Sequence, residues 1–309
     1  MFNMDSNKLV LCVGFCTLDI IQVCNNFPVE DSDERSLEGY WQRGGNASNN
    51  CSVLSQLGVG CEFLGTFSKK TYLKFLIDDF HSFNIKVDNC PYYENADPPL
   101  STVILSKSTN SRTILHSNSN LPDLTAKDFE KINVSNYKWI HFEGRNVREV
   151  QKMMDVVVKV NSEVDTGEKV VISVELEKTR PEMEKLIRLA DVIFLSKDFA
   201  ITLNYSNMVD TVKEVKKICK SGAIVICAWG EQGAAACNQK GEILLSPAYP
   251  PPLVIDTLGA GDTFCAGVMF GLINNKTLQD SLEIGCKIAG AKIGIKGYRG
   301  LDNMYASLK

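Results

Sequence analysis

Short apolar runs rich in β-branched residues recur along this chain and alternate with longer stretches of helical periodicity. The runs at 8–15, 61–67, 138–144, 169–176, 191–196 and 222–229 contain few polar residues, and shorter ones follow at 234–239 and 242–246. A strand that stays apolar at successive positions is buried on both faces, as strands of a parallel sheet are. Helical spacing predicts helices over 47–57, 69–83, 147–160, 181–189, 208–220, 260–274 and 277–296. Strands alternating with helices of this length predict βαβ units, hence an α/β layered fold around a mostly parallel sheet.

Two regions break the alternation. Residues 18–42 and 97–117 carry strand-like runs and polar loops with no helix between the strands. They predict a small antiparallel sheet that projects from the core as a lid. Such a sheet must cover a ligand, the core or a second copy of itself with its apolar face. No internal repeat or low-complexity linker divides the chain, so the reading is one domain over 1–309 with that lid.

Composition narrows the function classes. The 309 residues are 44% hydrophobic and carry a formal net charge of -4, which leaves no basic field for nucleic acid or anionic lipid. No apolar run approaches the ~18 residues that cross a bilayer. The N-terminal stretch, with Asp5 before its short apolar run, reads as a first strand and not as a signal peptide. Eleven cysteines are an odd number, lack any C-x-x-C pair and share no ligand spacing with His81, His116 or His141. Several lie inside apolar runs, so they read as reduced, mostly buried thiols of a cytosolic protein.

The sharpest chemical signal is VIDTLGAGDTFCAGVMFGL, residues 254–272. Gly259 and Gly261 allow a tight turn and a close backbone approach, and the helix starting near Ala260 offers unpaired N–H groups and a positive dipole end. That combination suits a phosphate. A carboxylate in the same turn, Asp262, is repelled by phosphate, which makes a merely structural acid an awkward choice there; removing a proton from an attacking hydroxyl would give it a role. A capping aspartate after a glycine turn is the plainer alternative. No GxxxxGK[ST] loop occurs, and no GxGxxG follows a strand.

The segment PPLVIDTLGAGDTF resembles the C-terminal signature of the ribokinase-like (pfkB) family of carbohydrate and nucleoside kinases, and GGNASNNCSVLSQLG at 44–58 resembles its N-terminal one. Further stretches, among them WQRGGNASN, LPDLTAKDFEK, KWIHFEGRN, CAWGEQGA and YPPPLVIDTLGAGDTF, are similar to a ketose-phosphorylating branch of that family along nearly the whole chain. The resemblance implies a three-layer α/β/α sandwich with a β-sheet lid and a homodimer formed through the lids. It further implies transfer of the ATP γ-phosphoryl to the C1 hydroxyl of a ketose, fructose. ATP and Mg²⁺ are the cofactors it implies, with K⁺ stimulation as a further expectation.

The same resemblance assigns residues. Asp262 matches the general base, and Gly259, Ala260 and Gly261 the anion hole. Asp19, Asp31, Gly45, Asn46, Asn49 and Arg112 match sugar-side positions, with Asp31 reaching the neighbour's sugar in the dimer. Lys197, Trp229, Gly230, Glu231, Gly233, Tyr249, Pro250, Phe264 and Cys286 match positions along the nucleotide cleft. Glu143 and Glu175, with Arg145 and Lys178, end presumed parallel strands and are candidates to position phosphate or hydrated Mg²⁺. On the residues alone Asp31 reads as a solvated loop acid, Arg112 as a strand-face arginine, and Trp229, Phe264 and Cys286 as core. The chain departs from the pattern at 196–199, SKDF in place of N-x-x-E, and at Ser111, Tyr249 and Cys265. Another ribokinase-like kinase, acting on ribose, adenosine or a different ketose, stays open, as does a non-catalytic sugar-binding protein on this fold.

Overall fold

The computed structural model describes residues 8–70, 72–109 and 111–307. The seven residues before Lys8 lie outside the described residues, so the reading of the N-terminus rests on sequence alone. The main sheet has eight strands. In chain order its members are β1 (Leu9–Val13), β4 (Cys61–Leu64), β9 (Tyr137–Glu143), β10 (Val171–Leu176), β11 (Val192–Leu195), β12 (Ile224–Ala228), β13 (Ala234–Cys237) and β14 (Ile243–Ser246). Their spatial order is β14-β13-β12-β11-β10-β9-β1-β4. The six from β12 to β4 pair in parallel, and β13 and β14 add an antiparallel edge. The apolar runs explain this: every residue of β4, β10, β11 and β13 is buried, so helices must cover both faces.

Between the strands run α1 (Asn46–Gln56), α2 (Leu73–Ser82), α3 (Ala126–Phe129), α4 (Val147–Ser162), α5 (Glu184–Leu189), α6 (Lys197–Thr202), α7 (Met208–Lys216), α8 (Ala260–Ile273), α9 (Leu278–Ile293) and α10 (Leu301–Ser307). α1, α8, α9 and α10 pack on one another as one layer. α8 is apolar nearly all round, as its position between α1, α9 and the sheet requires.

The second sheet has the order β3-β2-β7-β8, from β2 (Thr17–Cys24), β3 (Glu38–Gly44), β7 (Leu100–Ser106) and β8 (Ser111–Ser117). The expectation of a purely antiparallel lid is corrected here. β2/β3 and β7/β8 are antiparallel pairs, but they join through a parallel β2/β7 pairing. The 25 to 99 stretch between those strands holds α1, β4 and α2 and can return the chain in the same direction, which a tight hairpin cannot. A small apolar cluster of Ile21, Val23 and Val103 on this sheet closes on Leu258, in the loop just before Gly259.

Other differences are local. The run at 61–67 splits into β4 and β5 (Phe67–Ser68), and β5 pairs with an unforeseen β6 (Tyr92–Tyr93). α2 starts at Leu73, not 69, because Tyr72 adopts a left-handed backbone with φ 74°. The short helices α3, α6 and α10 carry too few turns to show a period in sequence.

Candidate active site

The parallel strands end in acids and glycines, and α8 starts above that edge. Gly259 precedes α8 in the left-handed conformation, φ 74°, and a side chain there would collide with the Tyr298 hydroxyl. Above Gly261 the space for a Cβ is empty. The first turn of the fourteen-residue α8 therefore borders open space at the positive end of a long helix.

Asp262 stands in that first turn and is buried. Its Oδ2 accepts from Asn49 Nδ2 at 2.7 Å, and its backbone oxygen accepts from Asn50 Nδ2 at 2.9 Å. Burial first, and then the nearby Glu175 charge, raise the Asp262 carboxyl well above the ordinary carboxylate range, with Asn49 opposing. Such a shift moves a carboxylate toward the basicity that proton abstraction needs.

α1 brings the sugar-side candidates to the same edge. Its entry runs through Gly45, whose φ of 100° only glycine takes without strain and whose missing side chain lets the Phe15 carbonyl approach. Arg43 anchors the segment from beneath: it is buried, pairs with Asp79 at 2.7 Å and donates to Ser48 and Ser52. Asp19, on β2, lies buried against Gly44, and desolvation lifts its carboxyl to about 6 against a hydrogen bond from Ser101. Asn46 Nδ2 donates to Glu175 Oε1 at 3.0 Å and to Glu177 Oε2 at 3.2 Å.

Arg112, on β8, reaches across from the lid and donates to Thr257 Oγ1 at 3.3 Å, beside the turn. Asp31 is the exception among the sugar-side candidates. It sits exposed in the β2–β3 loop with φ 61°, and no contact ties it to the Asp19–Asn49–Asp262 group.

Glu143 and Glu175 are register partners at the ends of β9 and β10. Glu143 Oε2 accepts from the Phe15 N–H at 2.9 Å, and its Oε1 accepts from Arg145 Nε at 3.1 Å. Glu175 is pushed up to about 8 by burial and by Glu177 and Glu143, and its Oε2 is buried facing His141 Nε2 at 3.6 Å, beyond hydrogen-bond distance. With Arg145, Lys178 and Arg180 these acids line a cleft of about 330 Å³. Among the described residues no three His, Cys, Asp or Glu side chains are placed to chelate an ion directly. Glu143, Glu175 and Glu177 together in a cleft flanked by cationic side chains fit a hydrated Mg²⁺ that arrives with phosphate oxygens.

The nucleotide-side candidates come from the start of α6, the turn between β12 and β13, the segment after β14, α8 and α9. Lys197 opens α6 with its Nζ 5.9 Å from the Trp229 ring centre. Trp229 starts a turn closed by its N–H donating to the Gly233 carbonyl at 2.7 Å, with Gly230 and Gly233 both at positive φ and Glu231 exposed at the tip. Tyr249 presses its carbonyl on Gly290, and Pro250 follows exposed. Trp229, Phe264 and Cys286 are buried, and packing alone accounts for them. All eleven cysteines are unpaired and nine are buried; burial raises the Cys286 thiol, with Ser246 opposing. No helix among the described residues is long and apolar enough to cross a membrane.

Several site neighbours escaped the sequence reading. Asn50 was legible as the third asparagine of GGNASNN, and Glu177 as the second acid of VELEK. Lys292 falls on the apolar stripe of α9, three and four residues from Ala289 and Ile288, which marks it as an inward lysine.

Residues 7–302 match the model of the pfkB family of carbohydrate kinases. The chain is 44% identical to mouse ketohexokinase over 294 residues, covering 95% of this chain and 99% of that protein. It is 26% identical to an ATP-dependent 6-phosphofructokinase of Thermoanaerobacterium thermosaccharolyticum, over 95% of this chain and 90% of the relative. Among solved structures, Arabidopsis thaliana ribokinase complexed with ribose and ATP superposes with a TM-score of 0.79 at 18% identity, covering 97% and 98% of the two chains. Giardia lamblia ribokinase superposes with a TM-score of 0.82 at 14% identity, covering 98% and 100%. The fold is thus ribokinase-like, and the chain belongs to the pfkB family of carbohydrate kinases, enzymes that transfer a phosphoryl group to a sugar.

Proposed function

We propose that this kinase transfers the γ-phosphoryl group of ATP to the C1 hydroxyl of fructose. The observation that carries the reading is the Asp262 carboxylate, buried in the first turn of α8 and held by Asn49 at 2.7 Å. The likeness to mouse ketohexokinase supports the choice of sugar. Fructose lies between the strand ends and the lid, with Asp19, Gly45, Asn46, Asn49 and Arg112 around its hydroxyls. Asp262 accepts the C1 hydroxyl proton as that oxygen forms its bond to phosphorus and the bond to the ADP oxygen breaks. The N–H groups at 259–262 hold the charge that grows on the transferring phosphoryl. Mg²⁺, when bound with the nucleotide, supplies counter-charge, and Glu143 and Glu175 are the residues that would position it through water. Lys197, the Trp229–Gly233 turn, Tyr249, Pro250, Phe264 and Cys286 form the nucleotide side.

The same reading takes 1–309 as one kinase domain whose lid comes from 18–42 and 97–117, working in the cytosol as a homodimer. Asp31 then reaches the neighbour's sugar, and K⁺ stimulates turnover relative to Na⁺. The test is ADP production from ATP with fructose, ribose and adenosine, followed by phosphorus NMR of the product. Fructose 1-phosphate is the expected product. Phosphorylation at C6, or turnover of ribose or adenosine alone, replaces the assignment by another kinase of this family. Sugar binding with no ADP formed replaces it by a binding protein.

A further inference from the structure

Among the described residues Lys292 is the only buried lysine, with no exposed surface. Its Nζ lies 2.6 Å from Asp256 Oδ2 and donates to the Asp256 carbonyl at 3.0 Å. Asp256 stands three residues before Gly259. Its Oδ1 accepts from the Leu258 N–H at 2.9 Å, and its Oδ2 accepts from the Gly297 N–H at 3.2 Å. The N–H groups of Ile255 and Asp256 both donate to the Ile293 carbonyl, at 2.7 and 3.2 Å. Tyr298 completes the assembly: its ring centre is 5.5 Å from Lys292 Nζ and its hydroxyl presses on Gly259. The loop that leads into the anion turn is thus clamped to the end of α9 by this ion pair together with backbone hydrogen bonds to Ile293 and from Gly297.

Stability alone is a weak reason for that pair. Desolvating both ions costs much of what their attraction returns, and an apolar pair of similar volume is often as stable. Location gives a better reason. An unpaired Asp256 would place a second negative charge behind the turn where phosphoryl charge grows. The Lys292 ammonium cancels it and fixes the carboxylate whose other oxygen holds the Leu258 amide, and its charge extends to Asp262 and Arg112. A cation fixed in a dry interior acts on nearby charge more strongly than one in water.

We propose that Lys292 is a positioning residue for phosphoryl transfer, an internal cation that sets the 256–259 loop through Asp256 and keeps that carboxylate from adding net negative charge behind the anion turn. The proposal rests on the assignment of that turn to the transferring phosphoryl. The test is Lys292→Ala in the full-length chain. Expected is a fall in kcat of about 100-fold or more, with the KM of fructose and of ATP, and the calorimetric affinity for Mg·AMP-PNP, all within about threefold of wild type. The shortened side chain leaves space beside the Asp256 carboxylate for a small amine. Methylammonium chloride should therefore restore kcat about tenfold or more over equal choline chloride, and the same pair of salts should not separate wild-type rates.

A folded Lys292→Ala with wild-type kcat, or a loss that methylammonium does not relieve, overturns the proposal. If Lys292→Ala does not fold, the double variant Lys292→Met with Asp256→Asn, which leaves no unpaired buried charge, decides. Reduced kcat in the folded double variant supports the role, and wild-type kcat overturns it. A wild-type chain with no kinase activity sinks the parent assignment as well, whereas an active wild type beside an equally active Lys292→Ala sinks this proposal alone.

Discussion

Asp262 owes its basicity to its surroundings. A carboxyl in water is a weak base at neutral pH; one buried among Glu175, Glu177 and Glu143 holds its proton more tightly. Asp262→Asn keeps the shape and the Asn49 contact region but cannot accept a proton. Its kcat should drop by ~10²–10⁴ with the melting temperature not lowered. The base must be ionised to act, so wild-type kcat/KM should fall as pH drops through its raised pKa, above the ordinary carboxylate range, and a steady-state pH profile reads this. Glu175 makes a second prediction. Its folded pKa, about 8, exceeds its unfolded one, so the fold binds a proton the unfolded chain has lost. Apo stability should therefore fall as pH rises from about 5 through 8, by at most about 1.4 kcal/mol per pH unit for this group. Glu175→Gln should flatten that slope in urea titrations at pH 6, 7 and 8. At this scale Asp262, Asn46 and Asn49 were legible because each lies in a contiguous motif. Local pattern marks Lys292 as inward-facing and Glu177 as a second acid, but their partners, Asp256 and Asn46, lie far along the chain, and no local pattern displays them.

Elements bring these side chains within reach. α1 starts where Gly45 turns the chain out of β3, and the Arg43–Asp79 pair ties that corner to α2. Gly45→Ala would force a side chain into positive φ and into the Phe15 carbonyl. The cost should be about 1–3 kcal/mol in chemical denaturation, and the KM of fructose should rise because Asn46 and Asn49 shift with the helix. The elements themselves were largely legible, since period and β-branching act within a few residues. The lid was legible as strands but not as a pairing. β2 meets β7 in parallel across an intervening helical unit, and apolar alternation looks alike in both pairings.

The lid also carries the whole-molecule question. Its inner face closes on Leu258, while Ile114 and Leu115 on β8 stay exposed. If lids clasp between two copies, light scattering should give a mass near twice 34.2 kDa. A mass near one chain would remove the clasp and the proposed reach of Asp31 into a neighbour's site. The sequence by itself determined the alternation of strands and helices, the glycine turn before α8 and the acid within it, because those depend on neighbours a few positions away. Tertiary structure decided which charges meet. Asn49 holds Asp262 across 213 positions, and Phe15 meets Glu143 across 128. Raised carboxyl pKa values, the buried Lys292–Asp256 pair and the lid's parallel seam all arise from burial and long-range proximity, and these exist only once the chain has closed on itself.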